Sequence, residues 1–117
     1  MRAILLIDHG SRREAANRLV EWVAEQVRAS EPDAHVAIAH LELAPPTIAE
    51  GYDACIAAGA NEIVVVPFFL ASGRHTERDV PAAVSAAAAR HAGTTYRITP
   101  PLGPDAKLVD IVLARIA

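Results

Sequence analysis

The chain has 117 residues, a length that supports one hydrophobic core, so we expect a single domain over residues 1–117. Its formal charge of −3 gives no basic face for nucleic acid, and no apolar run reaches the roughly 18 residues that a membrane span needs. One cysteine excludes an intramolecular disulfide, and Met1 and Arg2 lead directly into a strand without room for a signal peptide. These features make a reducing cytoplasm the expected location.

Four apolar segments are typical of β-strands. Residues 3–7 form a continuous apolar run, as expected for a parallel strand that is covered on both faces. Residues 63–66 are the most apolar segment and indicate a second buried strand of this kind. The remaining strands are predicted at residues 35–43, which end before a pair of prolines, and at residues 96–99.

Helices are predicted after each strand. Three of them are marked by capping pairs, in which Ser or Thr is followed three residues later by an acidic residue. The pairs are Ser11 with Glu14, Thr47 with Glu50, and Thr76 with Asp79. Residues 105–116 carry apolar side chains at helical spacing and complete the chain as a fourth helix. Cys55 lies in the second predicted helix, which indicates a buried structural thiol.

The resulting order β-α-β-α-β-α-β-α has no internal linker. Such alternation predicts an α/β fold with a four-stranded, parallel, doubly wound sheet and right-handed crossovers. A flavodoxin-like strand order 2-1-3-4 would place the first strand between the second and the third. In such sheets, ligands bind beyond the carboxyl ends of the strands, near the point where the strand order reverses.

Three side chains able to bind metal follow neighbouring strands of this sheet. His9 follows the first strand, Glu42 ends the second, and His75 follows the third. Two imidazoles and a carboxylate suit a divalent first-row metal ion that keeps open coordination positions. Each residue alone is most simply a solvated loop position, but three at equivalent strand ends favour one shared site.

Arginines flank the same loops, at Arg12, Arg13, Arg74 and Arg78. A single arginine is usually ordinary surface charge. Four of them near two helix N-termini favour an anion-binding rim, because guanidinium groups and unpaired helix amides attract carboxylate or phosphate.

Further side chains lie close to the predicted rim. His40 could support the metal ligands or could be a buried histidine bonded to backbone, and the sequence favours neither. Asp8 is expected to orient the first loop or the His9 ring rather than to bind metal. Phe68 and Phe69 could form an apolar wall for a ligand or belong to the core.

Four motifs together carry a resemblance to a known family. They are IDHGSR at residues 7–12, LELAPP at 41–46, VPFFL at 66–70 and GRHTERDVP at 73–81. In this combination the chain resembles the CbiX/SirB chelatases, the class II enzymes that insert cobalt or iron into sirohydrochlorin. The resemblance implies that this domain is chelatase-like and corresponds to one half of the longer, two-unit members of the family. The chain would then be the short, single-unit form, which acts as a homodimer.

The resemblance also implies functions for individual residues. It assigns metal and pyrrole-proton chemistry to His9 and His75, with assistance from Glu42. The candidates for binding the peripheral carboxylates of the tetrapyrrole substrate are Ser11, Arg12, Arg74 and Arg78. The implied reaction inserts Co²⁺, Fe²⁺ or Ni²⁺ in cobalamin or sirohaem biosynthesis, with no cofactor beyond the metal substrate. No ATP is expected, since the sequence has no phosphate-binding loop.

Three other functions are open on the sequence. A metal or tetrapyrrole carrier could use the same histidine pair without turnover. A histidine phosphatase of the Arg-His-Gly type is disfavoured, because Asp8 precedes His9 where that chemistry needs arginine. A flavodoxin-like interaction domain would leave His9 and His75 without a shared function.

Overall fold

Strands and helices alternate along the chain. The computed structural model describes residues 1–71 and 73–117, apart from the side chain of His75. The elements are β1 Arg2–Asp8, α1 Glu14–Ser30, β2 His35–His40, α2 Ile48–Ala57, β3 Glu62–Pro67, α3 Arg74–Ala88, β4 Thr95–Ile98 and α4 Ala106–Ile116. The predicted α/β class is confirmed.

The four strands form one parallel sheet in the order β2-β1-β3-β4. This is the predicted order 2-1-3-4. β1 lies inside the sheet, where Leu5 is paired with Ala37 of β2 and with Val65 of β3. Residues 3–7 are all buried, which explains why β1 is a continuous apolar run rather than an alternating one. The strand order reverses between β1 and β3, so a ligand is expected beyond their carboxyl ends.

The helices cover the two faces of the sheet unequally. α2 and α3 pack on one face and α1 packs on the other, as right-handed crossovers in opposite directions require. The core of the first face includes Leu5, Val65, Tyr52, Cys55 and Val84. The core of the second face includes Ile4, Leu6, Val20 and Ala24. The last helix, α4, buries none of its residues.

The interior position of Cys55 confirms the structural thiol. Its side chain is buried in the first core, and this burial raises the pKa of the thiol to about 11. The thiolate, which is the reactive form, is therefore scarce near neutral pH. None of the helices in the described part of the chain is long and apolar enough to cross a membrane.

β2 ends at His40, three residues before the predicted end at residue 43. The backbone N–H of His40 donates to the carbonyl of Pro46 at 2.8 Å, and the backbones of His40 and Thr47 form an isolated parallel β-bridge. Residues 41–46 therefore form a loop that returns to the strand end, and Leu43 in this loop has a φ of 71°. A residue in this left-handed conformation cannot continue a strand.

The capping predictions have different outcomes. Thr47 and Glu50 form the predicted capping box at the start of α2. The prediction for Ser11 is wrong, because α1 begins at Glu14 with Arg13 as its N-cap residue. Ser11 is held outside the helix by the amide of Asn17, which accepts from its N–H and donates to its carbonyl, both at 2.8 Å.

The predicted start of α3 at Thr76 is also wrong. α3 begins at Arg74, and Gly73 is the N-cap residue. The hydroxyl of Thr76 accepts from the N–H of Gly73 at 2.8 Å from inside the first turn. Thr76 therefore stabilises the helix start from a position three residues further along than a capping side chain normally has.

Candidate functional site

The loops that follow β1 and β2 meet at the carboxyl ends of the strands. Gly10 has a φ of +86°, and a Cβ on this residue would lie 1.9 Å from the carbonyl oxygen of Glu42. Only glycine permits this backbone conformation together with so close an approach. The N–H of Glu42 donates to the carbonyl of His9 at 3.0 Å. His9 and Glu42, two of the predicted site residues, are therefore brought together by direct backbone contact.

His9 stands between two clefts at this rim. The first, of about 510 Å³, is called the Glu42 cleft, and its lining residues are His9, Leu41, Glu42, Asp79 and Ala83. The second, of about 440 Å³, is called the α1 cleft, and the residues that line it include His9, Gly10, Ser11, Asn17 and Phe68. The imidazole is exposed, so it can reach a ligand in either cleft.

An aromatic residue lies directly against the His9 ring. The centroids of His9 and Phe69 are 4.9 Å apart and their planes are tilted by 59°. Phe69 is 8% exposed and belongs to the first core, whereas Phe68 is half-buried and borders the α1 cleft. Both rings therefore line the α1 cleft and both contact a core, Phe69 as a buried member of the first core and Phe68 as a partly buried neighbour of the second.

A hydrogen bond between two side chains lies beneath the His9 loop. Nδ1 of His40 is 2.5 Å from Oδ1 of Asp8, and the His40 side chain is 1% exposed. The register of the sheet places these two residues opposite each other at the ends of β1 and β2. Asp8 thus bonds His40 rather than the His9 ring. Because Asp8 directly precedes His9, the pair fixes the point from which the loop departs.

The arginines of the rim remain at the surface. Arg12, Arg13, Arg74 and Arg78 are all exposed. Nε of Arg78 lies 3.2 Å from Oδ1 of Asp79, which ties one guanidinium group to the edge of the Glu42 cleft. Long exposed side chains of this kind can reorient toward an anionic ligand at the rim, since surface ion pairs are weak.

The third predicted ligand, His75, is described only in its backbone. It lies in the first turn of α3, and its side chain is outside the described residues, as is the whole of Ser72. In the remainder of the chain, no group of three or more His, Cys, Asp and Glu side chains is arranged to hold a metal ion. The shared metal site of His9, Glu42 and His75 therefore stays a prediction.

Two residues of the rim were not predicted as part of the site. Asp79 lines the Glu42 cleft, although its position in the sequence indicated only a helix cap. Asn17 holds the His9 loop through Ser11, and no local pattern distinguishes it from a surface residue of α1. The signal for Asp79 was its place in the motif at residues 73–81, one turn beyond His75.

Comparison with known proteins decides the family. The CbiX family model matches residues 3–117. The chain belongs to the CbiX family. It is also 41% identical over 113 residues to the chloroplastic sirohydrochlorin ferrochelatase of Arabidopsis thaliana, an alignment that covers 97% of this chain and 50% of that protein. The resemblance to CbiX/SirB chelatases is confirmed.

Solved structures of the CbiX family have the same fold. The sirohydrochlorin chelatase SirB of Bacillus subtilis subspecies spizizenii, in complex with cobalt, superposes with a TM-score of 0.90 and 34% identity, over 98% of this chain and 49% of that chain. The CbiX protein of Marinobacter aquaeolei superposes with a TM-score of 0.82 and 33% identity, over 99% of this chain and 94% of that chain. The chain spans about half the length of the curated relatives it matches.

Proposed function

We propose that this chain inserts a divalent metal ion, Co²⁺ or Fe²⁺, into sirohydrochlorin. The observation that carries the proposal is the position of His9, an exposed imidazole at the carboxyl rim between two clefts, in a chain of the CbiX family. Its relatives are named as sirohydrochlorin ferrochelatase and sirohydrochlorin chelatase, and one of their structures holds cobalt. A planar tetrapyrrole could lie across the rim with its centre close to this imidazole.

The proposed reaction requires a group that binds metal and accepts protons near neutral pH. Metal insertion removes two protons from the inner pyrrole nitrogens while the hydrated cation loses its waters. An imidazole can do both in this pH range. We assign metal binding to His9 and His75, and proton acceptance to His75 with electrostatic help from Glu42.

The rim offers several groups to the carboxylates of the substrate. Arg12, Arg74 and Arg78 are exposed and can form charge-assisted hydrogen bonds with peripheral carboxylates. Ser11 can contribute through its hydroxyl proton, because its N–H already donates to Asn17 and its Oγ accepts from the N–H of Arg13. These residues would orient the macrocycle, and its centre would be left to the imidazoles.

The proposal extends to partners and location. The metal ion is a substrate, and no other cofactor is expected. The chain would act as one unit of a homodimer, because a rim open on one side leaves a large planar ligand half exposed. The cytoplasm is the proposed location, in agreement with a single buried cysteine.

The test is an absorbance assay of metal insertion into sirohydrochlorin by the wild type and by single histidine variants. His9→Ala and His75→Ala should each lower kcat/KM by at least about 100-fold. His35→Ala is the matched control, because His35 lies at the amino end of β2, opposite Ala3 and far from the rim. Circular dichroism should show that all three variants are folded. Full turnover by His9→Ala would overturn the assignment.

A further inference from the structure

His40 is a buried histidine at the carboxyl end of β2, beneath the loop that carries His9. It is 2% exposed, whereas the other histidine side chains that the structure describes, His9, His35 and His91, are exposed or half-buried. Burial of an imidazole costs free energy unless its nitrogens find hydrogen-bond partners. An apolar side chain of similar size would fill such a place without that cost, so packing alone does not account for this residue.

The partner of the His40 ring is Asp8 on the neighbouring strand. Nδ1 of His40 lies 2.5 Å from Oδ1 of Asp8, whose side chain is 15% exposed. An ionised carboxylate only accepts hydrogen bonds, so the Nδ1–H group is the donor. Asp8 and His40 are also the last residues of the regular pairing between β1 and β2. The side-chain bond therefore joins the two strands at the point where both loops begin.

Two backbone hydrogen bonds continue this connection into the loops. The N–H of Leu41 donates to the carbonyl of Asp8 at 2.9 Å, and the N–H of Glu42 donates to the carbonyl of His9 at 3.0 Å. Together with the bond between Asp8 and His40, they link the end of the sheet to two of the predicted site residues. Because hydrogen bonds have narrow ranges of length and angle, a movement of Asp8 against His40 changes the separation of His9 and Glu42.

His40 itself has little freedom to move. Its N–H donates to the carbonyl of Pro46 at 2.8 Å, and its backbone forms a parallel bridge with Thr47, the N-cap residue of α2. A Cβ placed on Gly10 would lie 3.0 Å from the Cβ of His40, so the backbone of the His9 loop passes close to this residue. His40 is therefore held at the start of α2 and contacts the loop directly.

We infer that His40 is a positioning residue for metal insertion: its bond to Asp8 fixes the place of His9 relative to Glu42. The inference rests on the proposed function and deepens it, because it adds a residue that touches neither the metal ion nor the tetrapyrrole. Reacting groups must be placed to within about 1 Å, and the hydrogen-bonded partners behind them are commonly worth about 10–100-fold in metal affinity or activity. A hydrogen bond suits this purpose because it sets both direction and length.

Two substitutions of His40 separate hydrogen bonding from packing. His40→Leu keeps most of the buried volume and removes the donor, so the Asp8 carboxylate loses its partner. His40→Asn removes part of the ring but keeps an N–H donor near the place of Nδ1, because the amide nitrogen and Nδ1 are both two bonds from Cβ. If His40 positions His9, asparagine is the better replacement. If His40 only fills space, leucine is the better replacement.

Activity and metal affinity are both measured on the full chain. The absorbance assay with sirohydrochlorin gives kcat and KM, and calorimetric titration with Co²⁺ alone gives a dissociation constant that does not depend on turnover. His40→Leu should lower kcat and weaken Co²⁺ binding, each by about 10–100-fold. Its KM for sirohydrochlorin should stay within about 3-fold of wild type, because the exposed arginines proposed to bind the carboxylates are unchanged. His40→Asn should retain kcat and the Co²⁺ dissociation constant within about 5-fold.

Ile63→Ala controls for a loss of stability. Ile63 is fully buried near the start of β3, where it pairs with Ala3 and Tyr96 at the amino end of the sheet. The substitution lowers stability by creating a cavity far from the rim. It should leave kcat and the Co²⁺ dissociation constant within about 3-fold of wild type. Circular dichroism identifies a temperature at which all variants are folded.

Several results would overturn the inference. One is wild-type kcat and Co²⁺ affinity in His40→Leu. Another is a His40→Asn variant as impaired as His40→Leu, since the donor would then make no difference. A loss of the same size in Ile63→Ala would show that stability rather than position is responsible, and a wild type that does not bind Co²⁺ would also overturn the inference. If the wild type binds Co²⁺ but forms no product, the proposed function fails, and the Co²⁺ dissociation constants of the variants still decide whether His40 positions His9.

Discussion

Gly10→Ala is the substitution that most directly tests how the rim is built. A Cβ at this position would meet the carbonyl oxygen of Glu42 at 1.9 Å, and contacts below 3.0 Å are essentially never seen. The obstructing atom is backbone, so the two loops must separate by about 1 Å or more. That movement breaks the hydrogen bond from Glu42 N–H to His9, which is 3.0 Å long.

The expected size of the effect follows from four contributions. A side chain in the left-handed region costs about 1–2 kcal/mol, and the stiffer unfolded chain returns about 0.4–1 kcal/mol. Loss of the hydrogen bond adds about 1 kcal/mol, and the forced separation of the loops adds strain. We expect Gly10→Ala to lower the free energy of unfolding by about 2–4 kcal/mol. Displacement of His9 by about 1 Å should lower metal-insertion kcat/KM by roughly 100-fold.

Gly93→Ala is the matched control. Gly93 has a φ of +83°, close to that of Gly10, but no described atom lies within 4 Å of its added Cβ. Gly93→Ala should lower the free energy of unfolding by about 1 kcal/mol or less and leave kcat/KM unchanged. Stability is measured by urea denaturation and activity by the absorbance assay. Equal losses in the two variants would refute the idea that contact between the loops, rather than backbone conformation, positions His9.

Two further predictions concern the packing of α2. The Tyr52 hydroxyl is buried without a hydrogen-bond partner among the described residues. Tyr52→Phe should therefore raise the free energy of unfolding, measured by urea denaturation, by about 1 kcal/mol. A decrease of that size would mean that the hydroxyl is hydrogen-bonded in the folded protein. Hydrogen bonds from His91 and Arg90 hold the pKa of the Asp53 carboxyl below its ordinary value of 3.8. A carboxyl whose pKa is lowered by folding stabilises the protein at pH values above its pKa in the unfolded state. The difference in free energy of unfolding between wild type and Asp53→Asn should therefore be constant above about pH 5 and shrink as the pH falls through the lowered pKa. A difference that does not change with pH would contradict this assignment.

The elements could be predicted because their signals are local. The apolar run at residues 3–7 indicated a strand covered on both faces, and the alternation of elements then restricted the topology to a right-handed doubly wound sheet. Thr47 and Glu50 are three residues apart and satisfy each other, so their capping box depends on nothing distant. The same pattern failed at Ser11, where the amide of Asn17 competes for the backbone groups of the serine.

The arrangement of the candidate site could be predicted only in part, because its residues come from separate strands and their contacts depend on how those strands pair. The sequence placed His9 and Glu42 at neighbouring strand ends, but the bond between Asp8 and His40 depends on a register that only the packed sheet sets. It also depends on residues that are 32 positions apart in the chain. For the last helix, the periodicity indicated an apolar face. Among the described residues this face packs on no sheet surface, and that outcome depends on the tertiary path of the chain after Gly103.

The most direct test of the proposed function is the number of product molecules formed per protomer. Sirohydrochlorin and Co²⁺ are supplied in large excess over the protein, and metal insertion is followed by absorbance after subtraction of the rate without protein. A chelatase built on His9 should give a linear rate and many products per protomer, and His9→Ala should abolish that rate. A signal that stops at one tetrapyrrole per protomer would contradict the account and identify the chain as a carrier.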